Sequence, residues 1–162
     1  KYGKAIDTSM GFTPLEGLVM GTRCGDIDPS IVTYLMQKES LKIEEIENLL
    51  NKESGLKGLS GISNDMRILM AKKDKNQRVK LAIDVFIYRI KKYISAYLGI
   101  LGGIDAVAFT AGIGQNQPLL IKEICRGLFS HLKKEPRIFV IPTDEELMIA
   151  RQTYKVLRRR NV

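Results

Sequence analysis

The stretch DAVAFTAG (residues 105–112) sets apolar side chains at successive positions, so an extended chain there is apolar on both faces. A half-exposed strand alternates apolar and polar residues; an unbroken apolar run reads as a strand covered on both sides, the habit of parallel sheets. Parallel neighbours need a long crossover between them, and the next residues supply one. Pro118 opens PLLIKEICRGLFSHLK (118–133), proline being well suited to a first helical position. RIFVIPT (137–143) then gives a second strand, and DEELMIARQTYKVLRR (144–159) closes with a helix. Strand, helix and parallel strand make a right-handed βαβ unit. The expected fold class is α/β.

Upstream the period changes. Between 74 and 101, Ala82, Phe86, Ile90, Tyr93, Ile94, Tyr97 and Leu101 recur at three- and four-residue steps, which predicts one long helix with a continuous apolar stripe. Shorter helices are expected at TPLEGLVMGT (13–22), where Thr13 can cap and Pro14 fits the first turn, and at PSIVTYLMQKE (29–39), capped by Asp28. Another is expected at KIEEIENLLNKE (42–53), with Ile43, Ile46, Leu49 and Leu50 on one face. The glycine- and serine-rich stretch 54–63 reads as a loop. KYGKAIDTS (1–9) reads as an alternating strand entered from its middle, which points to a C-terminal piece of a longer protein.

Composition narrows the function classes. The 162 residues suit one domain, and 44% hydrophobic with 27% charged residues are globular values. No apolar run approaches the ~18 residues that a membrane span needs, so no membrane partner is expected. Cys24 and Cys125 lie about 100 positions apart without metal-ligand spacing, as reduced thiols of a cytoplasmic protein would. The formal charge of +8 suits phosphate substrates as well as nucleic acid. The lysines are scattered, however. Only LRRR (157–160) forms a cluster, and no aromatic residue is interleaved there to stack on bases. A solvated basic surface is the better account, and no nucleic-acid partner is expected.

Four stretches carry chemistry. GTRCGDIDP (21–29) sets Arg23 among small residues, with Gly21 and Gly25 permitting a tight backbone; its anion is either Asp26 or a ligand. NDMR (64–67) offers Asp65 and Arg67 as complementary polar groups, and a guanidinium can lie flat on an adenine face. A helix-starting Asp with an outward Arg would read the same. AGIGQNQP (111–118) runs from a strand into a helix, where backbone N–H groups favour an anion and Gly112 and Gly114 allow close approach. It matches neither GxGxxG nor the lysine-bearing P-loop, and a plain tight turn would use similar residues. TDEEL (143–147) places Asp144, Glu145 and Glu146 in a first helical turn, where carboxylates complement the dipole. One of them can also hold Mg²⁺, which takes few protein carboxylates and keeps several waters.

Together, DTSMGFTPLEGLVMGTRCGDIDP, GISNDMR, GGIDAVAFTAGIGQN and VIPTDEELMIAR resemble acetate kinase motifs, in the family's order and at similar spacings, from Asp7 to about Leu157. The resemblance implies that residues 1–162 are the C-terminal nucleotide-binding domain of a two-domain kinase with the actin, Hsp70 and sugar-kinase (ribonuclease H-like) fold, the N-terminal domain lying outside the chain. It implies reversible, Mg²⁺-dependent transfer of the γ-phosphoryl of ATP to acetate, giving acetyl phosphate and ADP. Propionate or butyrate kinase activity, or a non-catalytic nucleotide-binding module, are the alternatives. Carried over by motif, Arg23 stabilises the transferring phosphoryl group, and Asp65, Met66 and Arg67 surround the adenine. Gly112, Ile113, Gly114, Gln115 and Asn116 form the loop under the adenosine and phosphates, and Glu145 coordinates Mg²⁺. Two positions depart from the pattern: Cys24 stands where serine is more frequent, and Gln115 where glutamate is, which removes a charge beside the nucleotide. His131, the one histidine, matches no family motif. The resemblance also implies a homodimer joined through this domain, with the 74–101 helix a plausible contributor. Because the acetate site belongs to the other domain, no useful kinase activity is expected of the isolated chain.

Overall fold

The long apolar stripe does form one helix, and the buried core gathers along its first half. The computed structural model describes the backbone of residues 1–160 and the side chains of residues 1–158, so the last two arginines of LRRR lie outside the described side chains and Asn161 and Val162 outside the described residues. In chain order the elements are α1 (Ser30–Lys38), α2 (Ile43–Asn48), a π-helical turn (Leu49–Glu53), α3 (Gly55–Ser60), α4 (Met66–Lys72) and a 3₁₀ turn (Lys73–Lys75). Then follow α5 (Gln77–Leu101), β1 (Ala106–Phe109), α6 (Ala111–Asn116), α7 (Pro118–Cys125), β2 (Arg137–Val140) and α8 (Glu145–Arg160).

Helix α5 starts where the Asn76 side chain accepts from the Val79 N–H at 3.1 Å and ends on Gly102, in the left-handed region at φ 72°. Val79, Ala82 and Ile83 are fully buried and Phe86 nearly so, packed with Leu56 of α3, Met66 and Leu69 of α4, and Leu120 and Ile124 of α7. Farther along, Tyr93, Ile94, Tyr97 and Leu101 are only half-buried. Strands β1 and β2 pair in parallel, Ala106 opposite Arg137 through Phe109 opposite Val140, with α6 and α7 in the crossover. The α/β class and the βαβ unit stand as expected.

Several expectations are corrected. Residues 13–22 form no helix, because Gly17 spends both its backbone groups on Asp26: its N–H donates to Asp26 Oδ1 at 2.8 Å and its C=O accepts from the Asp26 N–H at 2.9 Å. The stretch 54–63 is not simply a loop, since Gly55–Ser60 is helical and buries Leu56. Gly55 sits at φ +62, and a Cβ there would lie 2.2 Å from the Met20 carbonyl oxygen, so this glycine serves close backbone approach rather than flexibility. Residues 1–9 are irregular and, apart from half-buried Ser9, exposed, with no partner strand among the described residues. Helix α7 stops at Cys125, short of Lys133, with Arg126 out of helical geometry and Gly127 at φ +70. The glycine motif AGIGQN, expected as a loop, is itself the six-residue α6. The strand DAVAFTAG is not covered on both faces: Val107 and Phe109 are half-buried while Ala106, Ala108 and all of β2 are exposed. The core of this chain covers one face of β1 only, and β2 is exposed on both of its faces.

Candidate functional site

The NDMR and AGIGQN motifs, about 45 positions apart in sequence, come together as the walls of one cavity of about 460 Å³. Asp65, Met66 and Arg67 form one side with Asn64; Gly112, Ile113, Asn116 and Gln117 form the other. Asp65 starts α4 as a cap, its Oδ1 accepting from the Arg67 N–H at 2.8 Å. The same carboxylate grips the guanidinium, with Arg67 Nε 3.1 Å from Oδ1 and Arg67 Nη2 2.6 Å from Oδ2. Those hydrogen bonds, the side-chain ones foremost, hold the Asp65 carboxyl well down, at about 2. The helix-starting Asp and outward Arg are therefore present, and they also line the cavity. The Met66 side chain is 3% exposed and belongs to the core, so it anchors this wall.

The five residues of the glycine motif divide by task. A Cβ at Gly112 would meet nothing within 4 Å, so this glycine faces open space. At Gly114 a Cβ would lie 3.1 Å from the Phe109 carbonyl carbon, so its smallness lets α6 sit on the end of β1. Asn116 Nδ2 donates to the Gly112 carbonyl at 2.8 Å, bracing the helix from within. Gln115 turns away from the cavity, and its Nε2 donates to Thr143 Oγ1 at 3.2 Å, tying α6 to the segment before α8. Of the five, Gly112, Ile113 and Asn116 line the cavity; Gly114 and Gln115 do not.

Arg23 lies on a second, larger cavity of about 730 Å³. Met20, Gly21 and Thr22 bound it with Arg23 on one side, and Glu44, Glu47 and Asn51 on the other. Asn64 lines both cavities, so the two meet at its side chain, and Gly21 allows that meeting: a Cβ there would come within 3.3 Å of Asn64. Asp26 is not the anion for Arg23. Its Oδ2 accepts from Tyr93 Oη at 2.7 Å and pairs with Arg89 Nη2 at 3.1 Å, while Gly17 holds Oδ1. Burial first, and then the Asp26 hydrogen bond, push the Tyr93 phenol up to about 12, so it is a protonated donor near neutral pH. Among the described residues no carboxylate lies within 4 Å of the Arg23 guanidinium. The neighbouring Cys24 is half-buried, its thiol pushed up chiefly by that burial, and Sγ donates to the Gly25 carbonyl at 3.1 Å.

Glu145 is the first residue of α8, exposed and outside both cavities. The adjacent Asp144 is committed as a cap, its Oδ1 accepting from the Leu147 N–H at 2.9 Å. Among the described residues no group of three or more His, Cys, Asp and Glu side chains is placed to hold a metal by itself. Sequence reasoning missed Asn64, Gln117, Arg89 and Tyr93. Asn64 opens NDMR and Gln117 directly follows AGIGQN, and Arg89 stands four residues before Tyr93 of the α5 stripe, a spacing that places two polar ends together.

No helix among the described residues is long and apolar enough to cross a membrane. Residues 1–132 match the Acetokinase family. The acetate kinase of Halothermothrix orenii is 51% identical over 176 residues, covering 96% of this chain and 44% of that protein. The acetate kinase of Dictyoglomus thermophilum is 50% identical, with 99% and 45% covered. Among solved structures, Porphyromonas gingivalis acetate kinase superposes with a TM-score of 0.86 at 40% identity, over 97% of this chain and 45% of its own. A propionate kinase from Francisella tularensis gives 0.84 at 42% identity, over 91% and 43%. The chain thus spans less than half the length of the relatives it matches. With residues 1–132 matching the family and relatives about 50% identical over nearly all of its length, the chain belongs to the acetokinase family.

Proposed function

We propose that this chain is the C-terminal nucleotide-binding domain of a two-domain kinase of the actin, Hsp70 and sugar-kinase type. The whole protein would transfer the γ-phosphoryl of ATP reversibly to acetate, giving acetyl phosphate and ADP. One observation carries the reading: Asp65–Arg67 and the Gly112 end of α6 line a single cavity, which at Asn64 adjoins another lined by Arg23. Its volume of about 460 Å³ falls in the ~300–1,000 Å³ range of small-molecule sites.

In this reading the adenine lies on the Arg67 guanidinium, whose plane Asp65 fixes. Gly112 leaves the space that the adenosine needs. Phosphoryl transfer asks little covalent work of a protein; the work is positioning and stabilisation of charge. Arg23, without a carboxylate partner among the described residues, is free to direct its donors at the group in transfer. Glu145 fits the needs of Mg²⁺, which takes few protein carboxylates and binds substrate phosphates and water as well. When bound, the metal supplies neutralisation of the nucleotide's phosphate charge. We place the whole protein in the cytoplasm, as a homodimer joined through this domain. The similarity to a propionate kinase keeps propionate, and by extension butyrate, as an alternative acceptor.

Calorimetric titration with Mg·ADP tests the nucleotide reading, run alongside Arg67→Ala and Gly112→Val. A Cβ at 112 would meet no neighbouring atom within 4 Å, so a side chain begun there extends into open space and its effect reports filled space. Saturable binding weakened by both substitutions is the expected result; binding indifferent to both would remove the cavity as the nucleotide site. In the protein of full family length, acetyl phosphate formation compared with the propionyl and butyryl products then identifies the acceptor. Nucleotide binding without any of these products would leave a non-catalytic module.

A further inference from the structure

We propose that Asp26 is a positioning residue for Arg23, transmitting the rigidity of the long helix α5 to the arc of backbone that presents the arginine. The proposal rests on the reading of Arg23 given above and assigns it a support.

The arc runs from Gly17 to Asp26 and is closed on itself by the reciprocal pair of hydrogen bonds between those two residues, at 2.8 and 2.9 Å. One flank is held mostly by backbone, with the Thr22 hydroxyl adding a bond to the Asn51 carbonyl at 2.9 Å. Cys24 N–H donates to the Leu50 carbonyl, Ser54 N–H to Thr22, Leu56 N–H to Met20 and Lys57 N–H to Gly21, all at 2.9–3.0 Å. The other flank depends on one side chain. Arg89 Nη2 reaches both the Asp26 carbonyl at 2.9 Å and its carboxylate at 3.1 Å, and Tyr93 Oη donates to the same carboxylate at 2.7 Å. Arg89 and Tyr93 sit on α5, whose earlier turns are the buried core. Asp26, three residues from Arg23, thereby joins the arc to the 25-residue helix that carries the core. The charge balance explains why Arg23 stays unneutralised: Arg89 already occupies the nearby carboxylate. Such a device matters because a misplacement of ~1 Å in a reacting group can cost about 100-fold in rate.

The test uses Asp26→Asn, Tyr93→Phe and Arg23→Ala, singly and in pairs, in the protein of full family length, reading kcat, nucleotide KM and melting temperature. Tyr93→Phe deletes one hydroxyl and keeps the ring, so it folds even where Asp26→Asn proves fragile. Expected are a kcat lowered about 10–100-fold in Asp26→Asn and less in Tyr93→Phe, with nucleotide KM little changed. Neither substitution should lower kcat further once Arg23 is already alanine, because the support then has nothing to position. Losses that multiply in the pairs, tracking the melting temperature, mark a merely structural role and overturn the proposal. So does wild-type kcat in Asp26→Asn and Tyr93→Phe beside a crippled Arg23→Ala, which leaves the reading of Arg23 intact. Near-normal turnover of Arg23→Ala itself overturns both.

Discussion

Asp65 and Arg67 form an exposed pair, and exposed pairs usually contribute little to stability. Their use here is geometric: two nearly parallel contacts fix the plane of a guanidinium that otherwise rotates freely. The pairing has a measurable signature. Asp65 titrates at about 2 in the folded chain, below the usual carboxylate range, so the interaction is complete above pH ~4 and is lost as pH falls through about 2. An NMR titration of the Asp65 carboxyl should show that depressed midpoint, returning most of the way to ordinary in Arg67→Ala. An ordinary midpoint in the unsubstituted chain would mean the fork is not formed in solution. These two residues were legible in the sequence because both their contacts are local. Asn64 was not, since its importance comes from lining two cavities at once, and Asp26 was read only as a rival anion because its partners lie 63 and 67 positions away.

At the scale of elements, periodicity succeeded where the structure is governed by burial and failed where it is governed by backbone contact. The α5 stripe was read nearly end to end because Ala82 and Phe86 must be inside. At 13–22, the Thr13-Pro14 signal for a helix start was outbid by the two Gly17–Asp26 hydrogen bonds, which no local pattern announces. At 54–63, glycine was read as a loop marker, whereas Gly55 permits α3 to begin against the carbonyls of Met20 and Arg23. Gly55→Ala tests that account. The residue sits at φ +62 with backbone oxygens 2.2 and 2.7 Å from a would-be Cβ, so neither neighbour can move aside cheaply. A loss of more than ~2 kcal/mol in denaturant unfolding is expected, well beyond the ~1 kcal/mol typical of a positive-φ glycine with room around it. A neutral result would place the Arg23 arc farther from α3.

For the whole molecule, the poorly covered sheet is the dominant fact. Ile138, Phe139, Val140 and Ile141 are each 40–47% exposed, and Leu147, Met148 and Ile149 of α8 are more than 40% exposed. The sequence rightly declared both faces of β1 apolar; coverage of the second face requires material beyond what this chain folds against it. Contiguous apolar surface of this kind seeks a partner. The chain alone should therefore bind an apolar-surface dye such as ANS strongly, and the protein of full family length should not. Equal dye binding by both would show that the missing length does not cover the sheet.

Asn64, lining both cavities, carries a consequence beyond its chemistry. Two compartments that share a wall are independent vessels only while that wall stays rigid. A ligand that shifts Asn64 from one side would change the affinity of the other, and linkage requires that effect to be equal in both directions.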